Sequence, residues 1–172
     1  MRVRVFSGII IAFFCAVSLQ AQVKIGVVDS EVILQQLDEA KKADQILKEL
    51  EKKYRDSLQK IEQQYIAEMQ KYEKQKGMMT EQARQQMEQR ILALREQYLA
   101  FQQEKFGVTG EIAQKQQELL QPIREKILKA IEAVAKAEKV NFVFDKAAPA
   151  LLYFESKYNL TYKVLDYLQR SK

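Results

Sequence analysis

Residues 47–72 read LKELEKKYRDSLQKIEQQYIAEMQKY, and the spacing of their apolar side chains is the strongest indication of the fold. Apolar side chains recur in it at intervals of 3, 4, 4, 3, 4, 4 and 3 residues, at Leu47, Leu50, Tyr54, Leu58, Ile61, Tyr65, Met69 and Tyr72. This eleven-residue repeat averages about 3.67 residues per turn, close to an undistorted α-helix, so a nearly straight helix is predicted. The apolar stripe is narrow, which is typical of a helix that packs against one partner.

The helix that contains this stretch is predicted to be unusually long. Neither Gly nor Pro occurs from Leu37 to Lys76, and good helix formers such as Glu, Lys, Gln, Leu and Ala dominate. Forty helical residues span about 60 Å, which is far longer than a helix in a compact domain of this size. The helix must therefore protrude.

A reversal of the chain is predicted at Gly77–Thr80. Gly77 is suited to a helix C-terminus and Thr80 to the N-cap of the next helix. The returning segment presents a heptad-like series that can pack antiparallel to the first stripe. Its members are Met87, Ile91, Leu94, Tyr98 and Phe101. Gly107 and Gly110 predict a bend, after which helical periodicity resumes, with Pro122 either kinking that helix or starting a new one.

The two ends of the chain have a different composition, typical of strands. Val23–Val28, Asn141–Phe144 and Leu151–Phe154 are rich in apolar, β-branched and aromatic residues, and Thr161 can cap a final helix. Because the strands are separated by a long helical segment, they must meet at the base of the hairpin. The predicted fold class is mainly α with a small β body, from which a long antiparallel α-helical hairpin projects.

Four segments follow from this interpretation: a signal peptide at 1–21, a body strand and the start of a helix at 22–36, the hairpin at 37–121 with its turn near 77–80, and a helix, two body strands and a C-terminal helix at 122–172. The body amounts to about fifty residues, marginal for an independent core, and its short strands leave open edges. Self-association would solve both problems. The residues predicted to form this oligomerisation body are Ile25, Val27, Val28, Phe142, Val143, Phe144, Leu151, Leu152 and Tyr153.

The N-terminus predicts export to the periplasm. Arg2 and Arg4 precede an apolar run from Gly8 to Val17, and small and polar residues follow up to Ala21, near which cleavage is expected. A retained membrane anchor is the alternative, but the run is shorter than the ~20 residues that a spanning helix needs.

Composition argues against an enzyme and against bound cofactors or metals. Histidine is absent, the one cysteine lies in the predicted signal, and no glycine-rich phosphate loop occurs. The 28 basic and 23 acidic residues give a net charge of +5, which becomes +3 without Arg2 and Arg4. This mild excess is compatible with contact to anionic lipid, but the absence of a concentrated basic run argues against a nucleic-acid binder.

The ends of the chain carry a family resemblance. VKIGVVDSEVILQQ at 23–36, NFVFD at 141–145 and ALLYFESKYNLTYKVLDYL at 150–168 resemble, in that order around a Gln- and Lys-rich hairpin, the Skp/OmpH family. The resemblance implies a homotrimer with a β body and three helical tentacles, enclosing a cavity that receives unfolded outer-membrane proteins without ATP. Its implied function is that of a periplasmic holdase chaperone.

Methionines near the hairpin turn and tyrosines along the hairpin are the candidates for binding such clients, because unbranched thioethers and amphipathic rings adapt to varied apolar partners. They are Met69, Tyr72, Met78, Met79, Met87 and Tyr98. Met69 and Met87 are also explained by packing between the helices, which leaves Met78 and Met79 as the better candidates. The alternative function is a structural coiled-coil adaptor in the cell envelope that binds one specific folded partner.

Overall fold

A computed structural model describes residues 23–149 and 151–171. The predicted signal peptide and its cleavage position lie outside the described residues. The elements follow in the order β1 (Ile25–Val28), α1 (Ser30–Gln36), α2 (Asp38–Gln75), α3 (Glu81–Phe106), α4 (Glu111–Ala137), β2 (Phe142–Asp145) and α5 (Thr161–Arg170), with 3-10 turns at Lys76–Met78 and Ser156–Tyr158. The predicted fold class, mainly α with a small β body and a long hairpin, is confirmed.

The hairpin consists of α2 packed against α3 and the first part of α4. Helix α2 has 38 residues and is therefore about 57 Å long. It does not begin at Leu37, because Leu37 adopts an extended conformation that separates α2 from the short helix α1. Pro122 lies inside α4, which continues through it without interruption. None of the helices in the described ranges is long and apolar enough to cross a membrane.

The body contains a two-stranded parallel sheet within the described ranges. Ile25 pairs with Phe142 and Val28 with Asp145, so the entire hairpin forms the crossover between the two strands. The predicted third strand is wrong, because Leu151–Phe154 has no strand structure. A single bridge between Val27 and Asn159 lies beside the sheet instead.

One hydrophobic core holds the helices against one face of this sheet. Its spacing on α4 and α5 is helical, so each helix contributes one buried stripe. The core comprises Val28, Ile33, Leu37, Ala40, Ala43, Ile123, Ile127, Ala130, Val134, Leu160, Val164, Leu165 and Leu168. All of these residues lie in the body or in the adjoining ends of α2 and α4.

The start of α5 also differs from prediction. Leu160, not Thr161, occupies the N-cap position, and Thr161 is the first helical residue. The Thr161 hydroxyl is buried and accepts a hydrogen bond of 2.9 Å from the Asp29 backbone N–H. This hydrogen bond connects α5 to the corner between β1 and α1. It also satisfies the Asp29 N–H, which would lower the stability of the fold if it were buried without a partner.

Candidate functional site

The end of the hairpin forms an apolar tip. Helix α2 ends at Gln75, and Thr80 caps α3 by accepting a hydrogen bond of 3.3 Å from the Ala83 N–H. Gly77 is not the residue that ends α2: it lies inside the 3-10 turn, and its φ is not positive. Met78 is 83% exposed at this turn, whereas Met79 is half-buried. The tip therefore presents a flexible apolar side chain to solvent.

A shallow groove of about 260 Å³ lies between α2 and α3 near the tip. Tyr65, Met69 and Tyr72 line it from α2, and Ile91 and Leu92 line it from α3. Glu73, Glu88 and Arg95 complete the lining with charged groups. The groove therefore combines an apolar floor with polar edges, which suits segments of mixed sequence.

Of the six residues predicted to contact clients, Met69 and Tyr72 line this groove and Met78 lies at the tip. Met79, Met87 and Tyr98 are half-buried and do not line it. Sequence reasoning missed Leu92, which is 52% exposed, and Leu99, which is similarly exposed. Their spacing of seven residues, off the predicted seam, is the signal that could have identified them.

Polar side chains connect the two helices beside the groove. The Tyr72 hydroxyl donates to a Glu88 carboxylate oxygen, and this bond raises the pKa of Tyr72 above its usual value of 10.0. Arg90 pairs with Glu68 across the hairpin at 3.0 Å. Two buried polar atoms in this layer, Glu68 Oε2 and Arg84 Nε, have no hydrogen-bond partner. Because unsatisfied buried groups cost stability, this part of the seam is less well stabilised than a dry apolar interface.

A second cluster lies where α3 gives way to α4. The Tyr54 ring contacts Phe101 and Phe106 edge-on, with centroids 6.0 and 6.5 Å apart. The Lys105 ammonium lies 5.2 Å from the centroid of the Tyr54 ring and pairs with Glu111.

The charged and hydrogen-bonding groups of this cluster shift one another's pKa values. The pKa of Lys105 is raised by its bonds to Glu104 and Glu111, and the pKa of Glu111 is lowered first by Lys105 and then by the Tyr54 hydroxyl. Lys105 precedes the Gly107–Gly110 break and Glu111 follows it, and both contact Tyr54 of the unbroken helix α2. The cluster therefore attaches both sides of the break to α2.

The body carries a separate apolar surface on the sheet face opposite the core. Ile25, Phe142 and Phe144 are exposed on it, and beyond β2 Leu152 and Tyr153 are 93% and 82% exposed. A groove of about 780 Å³ lies on this side. Its apolar lining includes Val23, Ile25, Val27, Phe144, Leu151, Tyr153, Phe154 and Tyr158. Contiguous exposed apolar surface of this kind marks an interaction site.

The nine residues predicted for oligomerisation divide between two environments. Val28 and Val143 face the chain's own core, whereas Val27, although buried, lines the groove on the opposite face. The others line or border the open surface; they are Ile25, Phe142, Phe144, Leu151, Leu152 and Tyr153.

Comparisons with known proteins agree with this architecture. The family model described as outer membrane protein (OmpH-like) matches residues 24–168. A crystal structure from Caulobacter crescentus, of a proposed outer membrane chaperone (OmpH-like), superposes with a TM-score of 0.70 at 16% identity. The match covers 88% of this chain and 87% of that one. No curated protein sequence matches this chain significantly.

Proposed function

The chain belongs to the OmpH-like family, and from that premise we propose that it is an ATP-independent holdase chaperone of the periplasm. Its clients would be unfolded outer-membrane β-barrel proteins, which it keeps from aggregating. The Caulobacter crescentus protein of the same fold is described as a proposed outer membrane chaperone, which favours clients of this class.

The observation that carries the proposal is the position of the exposed apolar groups on the hairpin. The outer hairpin, Leu58–Phe101, forms an arm. Met78 at its tip and the groove containing Leu92 lie on this arm, far along the chain from the buried core of the body. A holdase must contact apolar segments without selecting one sequence, and adaptable Met and Tyr side chains suit that task. Capture on the arm would leave the folded body undisturbed.

We propose that three such arms act together on one client. Each groove offers a small apolar contact, so a single arm would bind weakly. Linking three arms through one body raises the effective concentration of the second and third contacts, which gives tight capture from weak parts. Because each contact remains weak, a bound client stays mobile.

The trimer itself is proposed to form through the open apolar surface of the body. Burying Phe142 and Phe144, which are 59% and 47% exposed, would remove their rings from water. The double variant Phe142→Ser/Phe144→Ser should sediment as smaller species than the wild type at micromolar concentration. Leu128→Ser is the matched control, because Leu128 is 64% exposed on α4, outside this surface. Unchanged sedimentation of the double variant would contradict this interface.

The chaperone activity is tested by diluting a urea-unfolded outer-membrane β-barrel protein into buffer while light scattering is recorded without nucleotide. The purified chain should suppress scattering at about one trimer per client. Deleting Leu58–Phe101 should leave a folded oligomer that no longer suppresses it. Full suppression by this deletion variant would contradict capture on the hairpin.

A finer test compares two single substitutions on the hairpin. Leu92→Ser changes the groove, whereas Ile46→Ser changes a residue of similar exposure, 44%, on α2 outside it. Leu92→Ser should raise the concentration needed for half-suppression by roughly threefold, and Ile46→Ser should leave it nearly unchanged. Wild-type protein that fails to suppress scattering with several clients would instead favour the adaptor that binds one folded partner.

A further inference from the structure

Sulfur is concentrated at one end of this molecule. In the described residues every sulfur atom belongs to Met69, Met78, Met79 or Met87, all within the tip of the hairpin and its adjoining turns. The seam closer to the body uses Leu, Ile, Tyr and Phe instead. Thioethers are the side chains in this part of the chain that peroxides oxidise most readily.

The four methionines differ in their access to solvent. Met78 is 83% exposed, whereas Met69, Met79 and Met87 are half-buried. Gly77, the residue before Met78, has open space where a side chain would lie. A dissolved oxidant therefore reaches the Met78 sulfur without any movement of the protein.

Oxidation at the tip would leave the body intact. None of the thirteen residues of the hydrophobic core is a methionine, and the nearest sulfur in sequence is 26 residues beyond the last core residue of α2, Ala43. A sulfoxide at Met78 replaces a flexible apolar group by a polar, chiral one. The change therefore falls on the exposed apolar tip and not on the packing that folds the chain.

We propose that Met78 is a peroxide-sensitive modification site whose oxidation switches off client capture by the hairpin tip. The Met78 sulfur gives two electrons to hydrogen peroxide, the O–O bond breaks, one oxygen bonds to sulfur, and the other leaves as water with both peroxide protons. A methionine sulfoxide reductase would reverse the change by supplying two electrons and two protons and releasing the oxygen as water. This switch rests on the proposed function, because its effect is on client binding.

The site is tested independently of chaperone activity by mass spectrometry of the purified full chain during exposure to hydrogen peroxide. Sulfoxide should appear first at Met78, distinguished from the adjacent Met79 by fragment ions, and later at Met69, Met79 and Met87. The far-ultraviolet circular dichroism and the thermal transition of the body should not change at the stage of single oxidation. Equal oxidation rates at all four methionines, or earlier oxidation of Met69, would overturn the assignment.

The switch is tested by light scattering before and after this mild oxidation, and each protein is compared with its own untreated sample. Wild type should need roughly threefold more protein for half-suppression after treatment. Met78→Leu, which cannot form a sulfoxide, should show no change on treatment, whereas Met69→Leu should lose activity as the wild type does.

The outcomes separate the two proposals. Wild type that suppresses scattering equally before and after Met78 is oxidised would overturn the switch and leave the chaperone proposal standing. An untreated wild type without suppression would overturn the chaperone proposal and the switch with it, while the oxidation order still decides the modification site.

Discussion

The body and the outer hairpin differ in how completely they bury their apolar side chains. Ile33 and Val164 in the body are completely buried, at 0% exposure, among residues from several elements. The buried residues of the outer hairpin are Ile61 and Ile91, and each retains 9% exposure in a seam between two helices. Regions with few buried contacts open locally at low free energy. Buried packing is thus concentrated in the body, whereas the outer hairpin is held by a thinly packed seam beside its exposed apolar side chains, Met78 and Leu92.

The largest effect is expected from a cavity in the body. Ile33→Ala removes a fully buried side chain and should lower the free energy of unfolding by about 2–4 kcal/mol. The measurement is denaturant unfolding at fixed protein concentration, because oligomerisation makes apparent stability depend on concentration. Ile46→Ala, at an exposed position of α2, is the control and should cost less than about 0.5 kcal/mol. Similar losses of unfolding free energy for both variants would contradict the conclusion that the buried core of the body supplies most of the stability.

A matched change in the seam should cost less and act locally. Ile61→Ala should cost about 1–2 kcal/mol, because the two-helix seam gives Ile61 fewer packing partners than a core residue has. Hydrogen exchange should accelerate in α2 and α3 near the tip, while amides in α5 keep their wild-type protection. Faster exchange in α5 to the same extent would mean that base and arm unfold as one unit.

The sequence predicted the arm better than the body, for a physical reason. Helical periodicity is local, so the seam residues could be identified from their spacing, and the reversal near Gly77–Thr80 from the residue types that interrupt that spacing. Parallel pairing of β1 with β2 joins residues more than a hundred positions apart, and composition suggested that they meet without giving their register. Strand composition also misidentified Leu151–Phe154, because exposed apolar residues can equally border an open surface.

The contacts of polar side chains could not be predicted from the spacing of residues in the sequence. Whether Thr161 capped α5 or bonded to Asp29 depended on how α5 docks on the corner between β1 and α1. The cluster of Tyr54, Lys105 and Glu111 likewise joins three helices. The general region of the groove near the hairpin tip could be predicted, but its charged edges depended on the relative rotation of α2 and α3.

The polar corner of the body provides a smaller test that depends on pH. Asp29 caps α1 by accepting a hydrogen bond of 3.1 Å from the Val32 N–H, and Lys146 lies 3.0 Å from its other oxygen. Its pKa is held below the ordinary 3.8, first by the Val32 N–H and then by Lys146. Asp29→Ala should cost about 1 kcal/mol near neutral pH.

The pH dependence follows from the lowered pKa of Asp29. The stabilisation is fully present above the ordinary pKa and is lost as the pH falls through the lower folded-state value. Asp29→Asn keeps a capping oxygen but does not titrate, so the stability difference between wild type and Asp29→Asn should shrink in that acidic range. A difference that stays constant there would show that the Asp29 charge contributes nothing.

The smallest effect should be a gain, at the end of α4. Lys139 has a φ of 55°, a left-handed conformation that side chains disfavour, and the Val140 N–H donates to the Ala135 carbonyl at 2.8 Å as in a Schellman motif. Lys139→Gly should therefore stabilise the body by about 0.5–1 kcal/mol in denaturant unfolding. Lys139→Ala keeps the Cβ atom and should give no comparable gain. If Lys139→Ala stabilised as much as Lys139→Gly, the strain would not lie in the backbone, and removal of the Lys139 charge would explain the gain.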